Sequence, residues 1–194
     1  MSSDKSLPAS YFEGIFAQDA DPWDLASSSY EADKRADTIA ALGDRRYRHG
    51  LEIGCAGGVL TRRLAARCDS LLAIDISGSA LAQARERCND LDNVSFQECD
   101  YPRWSGPVNG FDLIVVSEVA YYWASDDLVA AANRLRETLQ QGGDLILVHW
   151  IGATDYPQTG DGATQSLQRA LADNVMPIAS KRTASYRLDL WRRT

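Results

Sequence analysis

The 194-residue chain has only two histidines, four cysteines and two methionines. Cys55, Cys68, Cys88 and Cys99 form no Cys-x-x-Cys pair, so neither a disulfide frame nor a structural zinc site is expected, and no metal site is read. No apolar run approaches the ~18 residues of a membrane span, and the N-terminal Met1–Gly14 segment lacks the apolar core of a secretory signal. Positive charge is also short: 20 Lys and Arg stand against 27 Asp and Glu, for a net charge of −7. Such a surface repels polyanions, so no nucleic-acid partner and no membrane partner are expected. At 45% hydrophobic and 24% charged, the composition is that of a globular chain. These features together describe a reduced, cytoplasmic protein; nothing in them sets its oligomeric state.

The chain then divides in two. Residues 1–47 are expected to form a helical cap or flap. Ser10 and Glu13 have capping-box spacing, and Tyr11, Phe12, Ile15 and Phe16 share a helix side. Pro22 marks a break. A second helix is expected from Tyr30 to Leu42, with Ser29 as its cap and Gly43 as its stop. Tyr30 and Lys34 share one face of it, which reads either as a surface helix with one core aromatic or as a flap over a ligand.

Residues 48–194 carry apolar strand-like runs at His49–Gly54, Ser70–Ile76, Val94–Glu98, Phe111–Val116 and Asp144–Trp150. Amphipathic stretches separate them, among them Ser125–Gln140, which Gly142-Gly143 is expected to end. After a loop at Ile151–Gly160 comes a helix at Gly162–Asn174. Two short strands close the chain, at Val175–Lys181 and Ser185–Arg192. The rhythm predicts an α/β, Rossmann-like fold: a seven-stranded, mostly parallel sheet with helices on both faces and a C-terminal antiparallel hairpin.

The first strand runs into Gly54-Cys55-Ala56-Gly57-Gly58. That is where an open parallel sheet binds a nucleotide-like ligand, and glycines there admit close approach of the backbone. The dinucleotide pattern Gly-x-Gly-x-x-Gly fails at Ala56 and Val59, and no Lys-Ser or Lys-Thr follows. A nucleoside without a pyrophosphate fits better than NAD. Asp75 ends the second strand, where a carboxylate accepts ribose hydroxyls; Ser77 is the better cap for the next helix. Asp100 ends the third, in reach of an adenine amino group, and Ser117-Glu118 ends the fourth. Glu52 joins them from the first strand, either beside a ligand ammonium or paired with a base. An acidic rim of this kind suits a ligand carrying sulfonium and ammonium charges.

Leu51–Gly58, Asp75, Cys99-Asp100 and Ser117-Glu118 resemble the ordered motifs of class I S-adenosylmethionine-dependent methyltransferases. Asp21-Pro22-Trp23, Tyr30-Glu31, Ser117-Glu118-Val119 and Tyr121-Tyr122 resemble the nodulation protein S (NodS) branch, whose members act on the free amine of a chitooligosaccharide. The resemblance implies S-adenosylmethionine as cofactor, S-adenosylhomocysteine as product, and N-methylation of a small amine-bearing acceptor such as an amino sugar or a natural-product intermediate. It carries the cofactor site onto Trp23, Glu52, Gly54, Cys55, Gly58, Asp75, Ile76, Asp100, Tyr101 and Ser117.

Glu118 and His149 are candidate bases, with Tyr121 or Tyr122 orienting the acceptor. Two bland readings stand beside these: Tyr121-Tyr122-Trp123 as an aromatic lid over the core, and His149 as a packing residue. The functional alternatives are an O-methyltransferase of a small metabolite, a non-catalytic nucleoside-binding module and, against the glycine pattern, an NAD oxidoreductase.

Overall fold

A computed structural model describes residues 5–19 and 21–194. The first four residues of the N-terminal reading, and Ala20 within the break after the first helix, lie outside the described residues. In chain order the elements are α1 Ala9–Gln18, α2 Ser29–Ala41, β1 Tyr47–Ile53, α3 Val59–Ala65, β2 Cys68–Asp75, α4 Gly78–Arg87, β3 Val94–Glu98, β4 Phe111–Ser117, α5 Ser125–Thr138, β5 Leu139–Trp150, α6 Gly160–Leu171, β6 Val175–Arg182 and β7 Tyr186–Arg193.

The strands form one sheet in the order β3-β2-β1-β4-β5-β7-β6. β1 pairs in parallel with β2 and β4, and β4 with β5, whereas β7 runs antiparallel to both β5 and β6. The expected fold class is therefore the observed one, and the terminal hairpin sits at one edge with its second strand turned inward.

The central strands are apolar on both sides because helices cover both faces. Along β4, Ile114 and Val116 pack with Leu128, Leu135 and Leu167 of α5 and α6, and Leu113 and Val115 pack on the other face with Leu64 of α3. Each such side chain is fully buried, which contributes about 1.5–3 kcal/mol. β6 is the outer strand of the hairpin and is largely exposed, with a slip in its pairing between Pro177 and Ala179.

The first strand connection after β1 moves to one side, towards β2 and β3, and the chain then returns to place β4 on the other side of β1. The carboxyl ends of β1 and β4 thus flank the point where the winding reverses, which is where such sheets open a crevice. α1, α2 and the residues before them lie across this edge. Leu7 N donates to Tyr122 O at 3.0 Å. Glu13 of α1 accepts from Ser77 Oγ at 2.7 Å and from Ser79 N at 3.2 Å, and Ser79 Oγ donates to it as well.

Three local expectations are corrected. The Ser10–Glu13 capping box does not form: the helix starts at Ala9 and Glu13 is spent on the first turn of α4. Ser28, not Ser29, precedes α2, and its side chain makes no capping bond. α5 ends at Thr138 rather than at Gly142-Gly143, because Leu139 pairs across to Phe111 at the start of β5. Gly142 instead turns at φ +72 within the irregular stretch before Asp144 rejoins the ladder opposite Leu113.

Candidate active site

The crevice is a cavity of about 1070 Å³. Its floor begins at the turn after β1. Gly54 N and Cys55 N both donate to Ile74 O, at 2.8 and 3.0 Å, which folds the turn onto β2. Gly54 has φ +80, and a Cβ there would lie 2.1 Å from Val119 Cγ1, so only glycine fits. Asp75, at the end of β2, ties two loops together: one carboxylate oxygen accepts from Ala56 N at 2.9 Å and the other from Ser77 N at 3.0 Å. Burial pushes its pKa up, against the pull of these backbone donors. Ser77 also caps α4 by accepting from Ala80 N at 3.2 Å, as expected.

Of the cofactor residues read from the sequence, Trp23, Glu52, Gly54, Cys55, Asp75, Ile76, Asp100, Tyr101 and Ser117 all line this cavity. Gly58 does not. It sits at φ +78 before α3, and a Cβ there would be 3.0 Å from Ala84 Cα, so it serves the packing of α3 on α4. Glu52 is almost fully buried and takes a 2.6 Å hydrogen bond from Thr61 Oγ1; among the described residues it forms no ion pair to a base, which corrects that half of the expectation. Desolvation outweighs the Thr61 bond and pushes its carboxyl up to about 8. Cys55 is buried, and desolvation carries its thiol far above the ordinary range; Cys99 is pushed up to about 12. Neither is a nucleophile near neutrality. Asp100 is bridged to Asp127 by Arg103, which pairs with both.

The other end of the cavity is built around Glu118, which takes a left-handed backbone at φ +57. Non-glycine residues there cost on the order of 1–3 kcal/mol and persist where several contacts fix them. Here one oxygen accepts from Tyr121 Oη and from Trp150 N, each at 2.8 Å, and the other accepts from Lys34 Nζ. Lys34 also donates to Glu31 at 2.7 Å and lies 5.1 Å from the centre of the Tyr30 ring. Tyr121 stacks on Tyr156 at 5.5 Å, and Tyr122 meets Phe12 of α1 edge-on at 4.8 Å. Every residue named at this end of the cavity but Trp150 is buried or half-buried. α2 is accordingly no surface helix: Glu31, Lys34, Arg35 and Thr38 are buried and all four line the cavity.

Tyr121, Tyr122 and Glu118 thus meet on one wall, while His149 stands apart. It is fully buried and does not line the cavity. Its Nε2 accepts from Ala120 N at 3.3 Å and its Nδ1 faces Thr164 Oγ1 at 3.5 Å. Desolvation depresses its pKa to about 4, so the ring is neutral and positions the Ala120–Tyr122 turn from behind. The rim position expected of a base is corrected by this burial. Arg35 and Thr38 were not among the residues read from the sequence, and Glu31 entered only through the Tyr30-Glu31 motif, without a place in the site.

Comparison with known proteins places this geometry. The family model described as nodulation protein S (NodS) matches residues 16–151. The nodulation protein S of Rhizobium tropici is 34% identical over 128 residues, covering 65% of this chain and 53% of the relative. That of Bradyrhizobium diazoefficiens is 37% identical over 103 residues, covering 53% and 49%. The chain spans about half the length of these curated relatives. Among solved structures, the N-methyltransferase NodS from Bradyrhizobium japonicum WM9, in complex with S-adenosyl-L-homocysteine, superposes with a TM-score of 0.80. Identity there is 24%, over 95% of this chain and 97% of that one, so the likeness is one of fold. No helix among the described residues is long and apolar enough to cross a membrane.

Proposed function

Since the chain belongs to the nodulation protein S family, we propose that it is an S-adenosylmethionine-dependent methyltransferase acting on the nitrogen of a small amine-bearing acceptor. The observation that carries this reading is the convergence of Gly54, Asp75, Asp100 and Glu118, from four successive strand ends, on a single cavity. The cofactor fits the residues present. The Asp75 carboxylate takes backbone donors from Ala56, Ser77 and Ile76 and, with about four acceptor sites, keeps capacity for a ribose hydroxyl. Glu118 brings negative charge to the cavity, and Glu52, protonated near neutrality, becomes a second negative group when a cationic ligand displaces its proton.

When bound, the cofactor supplies a methyl group on a positively charged sulfur, already electrophilic. The protein's work is to hold a neutral amine in line with it, near ~3–3.5 Å, and to keep water out. The aromatic wall of Tyr121, Tyr122 and Tyr156 does the excluding, and its π faces favour a cation as charge moves to nitrogen. Tyr121 Oη is held by Glu118, so the two act as one unit that orients the acceptor. Glu118 accepts three hydrogen bonds and has capacity for one more, from the acceptor's N–H; it is the proton acceptor in this scheme. His149 is a positioning residue. The described residues before β1 act as the cap, closing the site through the Glu13–Ser77, Leu7–Tyr122 and Lys34–Glu118 contacts. An acidic lining favours a cationic small acceptor over nucleic acid. Four free cysteines fit a cytoplasmic setting.

Calorimetric titration with S-adenosylmethionine, S-adenosylhomocysteine and NAD tests the reading. Binding of the two adenosyl ligands and not NAD is expected, with Asp75→Ala weakening both while the fold persists. Binding of NAD alone would overturn it. Methyl transfer to a panel of amines and hydroxyls then decides between N and O.

A further inference from the structure

The chain has three lysines, Lys5, Lys34 and Lys181. Lys181 is exposed on the outer strand β6, where it pairs with Asp37, and Lys5 is an exposed residue of the cavity lining. Only Lys34 is both buried and part of the cavity wall, with its side chain 5% exposed. Its amine has what the proposed reaction asks of an acceptor. It is a primary amine on a flexible four-carbon stem. It donates to Glu118, which takes the proton in that scheme, and to Glu31 at 2.7 Å. The Tyr30 ring lies 5.1 Å away, and Tyr121 Oη reaches the same Glu118 carboxylate at 2.8 Å. Holding a lysine between two carboxylates in a buried wall adds little stability over an apolar filling of the same volume. What it does achieve is to fix an amine in the cavity where methyl transfer is read.

We propose that Lys34 is itself a methyl acceptor, modified within its own chain when S-adenosylmethionine is bound and no external amine is present. The inference rests on the methyltransferase reading above. The Lys34 ammonium first gives one proton to Glu118. The neutral Nζ lone pair then bonds to the methyl carbon, and the S–C bond breaks with its electron pair left on sulfur. The products are S-adenosylhomocysteine and a methyllysine ammonium, and the positive charge lost by sulfur leaves as the proton that Glu118 hands on to water. A lysine side chain ordinarily loses its proton near ~10.4, so the modification is slow at neutrality and gains with pH. Burial of Lys34 shuts out a second molecule of the protein, so the transfer is intramolecular. An external amine that takes the remaining lone pair of Glu118 competes with Lys34 for the methyl group. The face of the Tyr30 ring suits the methylated ammonium as it suits the free one.

In the experiment the purified full chain is incubated with S-adenosylmethionine alone and its peptides are weighed by mass spectrometry. Methylation of Lys34 is expected, at a rate that does not change with protein concentration. Between about pH 7 and pH 9 the rate should rise roughly 10-fold per unit, following the neutral amine. Glu118→Gln should slow it about 100-fold, the lower end for loss of a proton acceptor. A second measurement needs no transfer: calorimetry of S-adenosylmethionine and S-adenosylhomocysteine with the wild-type chain and Lys34→Met. Only the first ligand carries a sulfonium, so removing the ammonium beside it should raise the ratio of the two affinities about 5-fold or more. The mass measurement on the wild-type chain stands even where a variant does not fold. Unmodified Lys34 in a chain that binds S-adenosylmethionine overturns the proposal, as does methylation of Lys5 or Lys181 in its place. An affinity ratio unchanged by Lys34→Met overturns it too, because Lys34 would then lie away from the reacting sulfur. Wild-type protein that binds neither ligand would instead overturn the methyltransferase reading beneath it.

Discussion

Replacing Lys34 by Met separates the energetics of the cap from its chemistry. The lysine side chain is 5% exposed and sits between Glu31, 10% exposed, and Glu118, 20% exposed. Met keeps most of the apolar stem and removes the charge. Removing one partner of a buried ion pair costs about 3–5 kcal/mol, because the other charge stays buried without compensation. Glu118 retains Tyr121 and the Trp150 amide, so the lower end, about 3 kcal/mol, is the expected loss. For a chain of this length that corresponds to roughly 6–12 °C in Tm.

The loss should depend on pH. Burial already raises the Glu31 pKa above 4.5, with Lys34 as the largest opposing influence. Without Lys34 it rises further, and the folded state then binds a proton that the unfolded state does not. Protonation therefore favours the folded variant, and its deficit is largest near neutrality and shrinks as pH falls towards 4.5. Urea unfolding followed by tryptophan fluorescence, at neutral pH and at about pH 5, measures both quantities. A loss below about 1 kcal/mol at neutral pH, the worth of an exposed pair, would refute the argument. So would a deficit that ignores pH. Adding Glu118→Gln to Lys34→Met should recover part of the loss, since replacing both partners is far milder than removing one.

Two further outcomes follow from buried groups at the site. His149, with a pKa of about 4 against 6.5, is neutral in the folded state and protonates more readily when unfolded. Its stabilising contribution, on the order of 3 kcal/mol, is present above pH 6.5 and disappears as pH falls through 4, so His149→Gln should flatten the acid side of the stability profile measured by urea unfolding. Glu52, raised to about 8, holds a proton near neutrality; a cationic ligand beside it should expel that proton. Calorimetric binding heats of S-adenosylhomocysteine should therefore vary with the ionisation enthalpy of the buffer, and Glu52→Gln should remove the variation; equal heats for the wild-type protein in every buffer would count against it.

Much of this architecture is legible in the sequence, for physical reasons that also mark where reading fails. β1, β2 and β4 are doubly buried, so each shows as a short continuous apolar run, and their carboxyl ends name Gly54, Asp75 and Ser117-Glu118 directly. Leu139 misleads because it fits the helical period of α5; its pairing with Phe111 decides, and pairing is a tertiary matter. α2 misleads more instructively. Glu31, Lys34, Arg35 and Thr38 repeat at helical spacing as an apolar stripe would, yet they are polar, and a search for hydrophobic periodicity passes over them. Paired charges facing a cavity can be buried at such spacing. His149 is the next-to-last residue of β5, among strand-end residues that do reach the cavity, and the packing of Thr164 and the Ala120 turn hides it. Glu13 has a plausible local partner in Ser10, and the contact it makes lies 64 residues further on.

The outer strand of the hairpin also has a consequence for how far the sheet can extend. A newcomer strand docking on β6 would need an unbroken row of donors and acceptors. It would instead meet Pro177, which has no N–H to give, and a slipped register just beyond it. Further along it would meet Lys181 and Arg182, held over by Asp37 and Asp161. An edge so interrupted is a poor template for another chain, and the sheet ends at seven strands by its own sequence rather than by a cover.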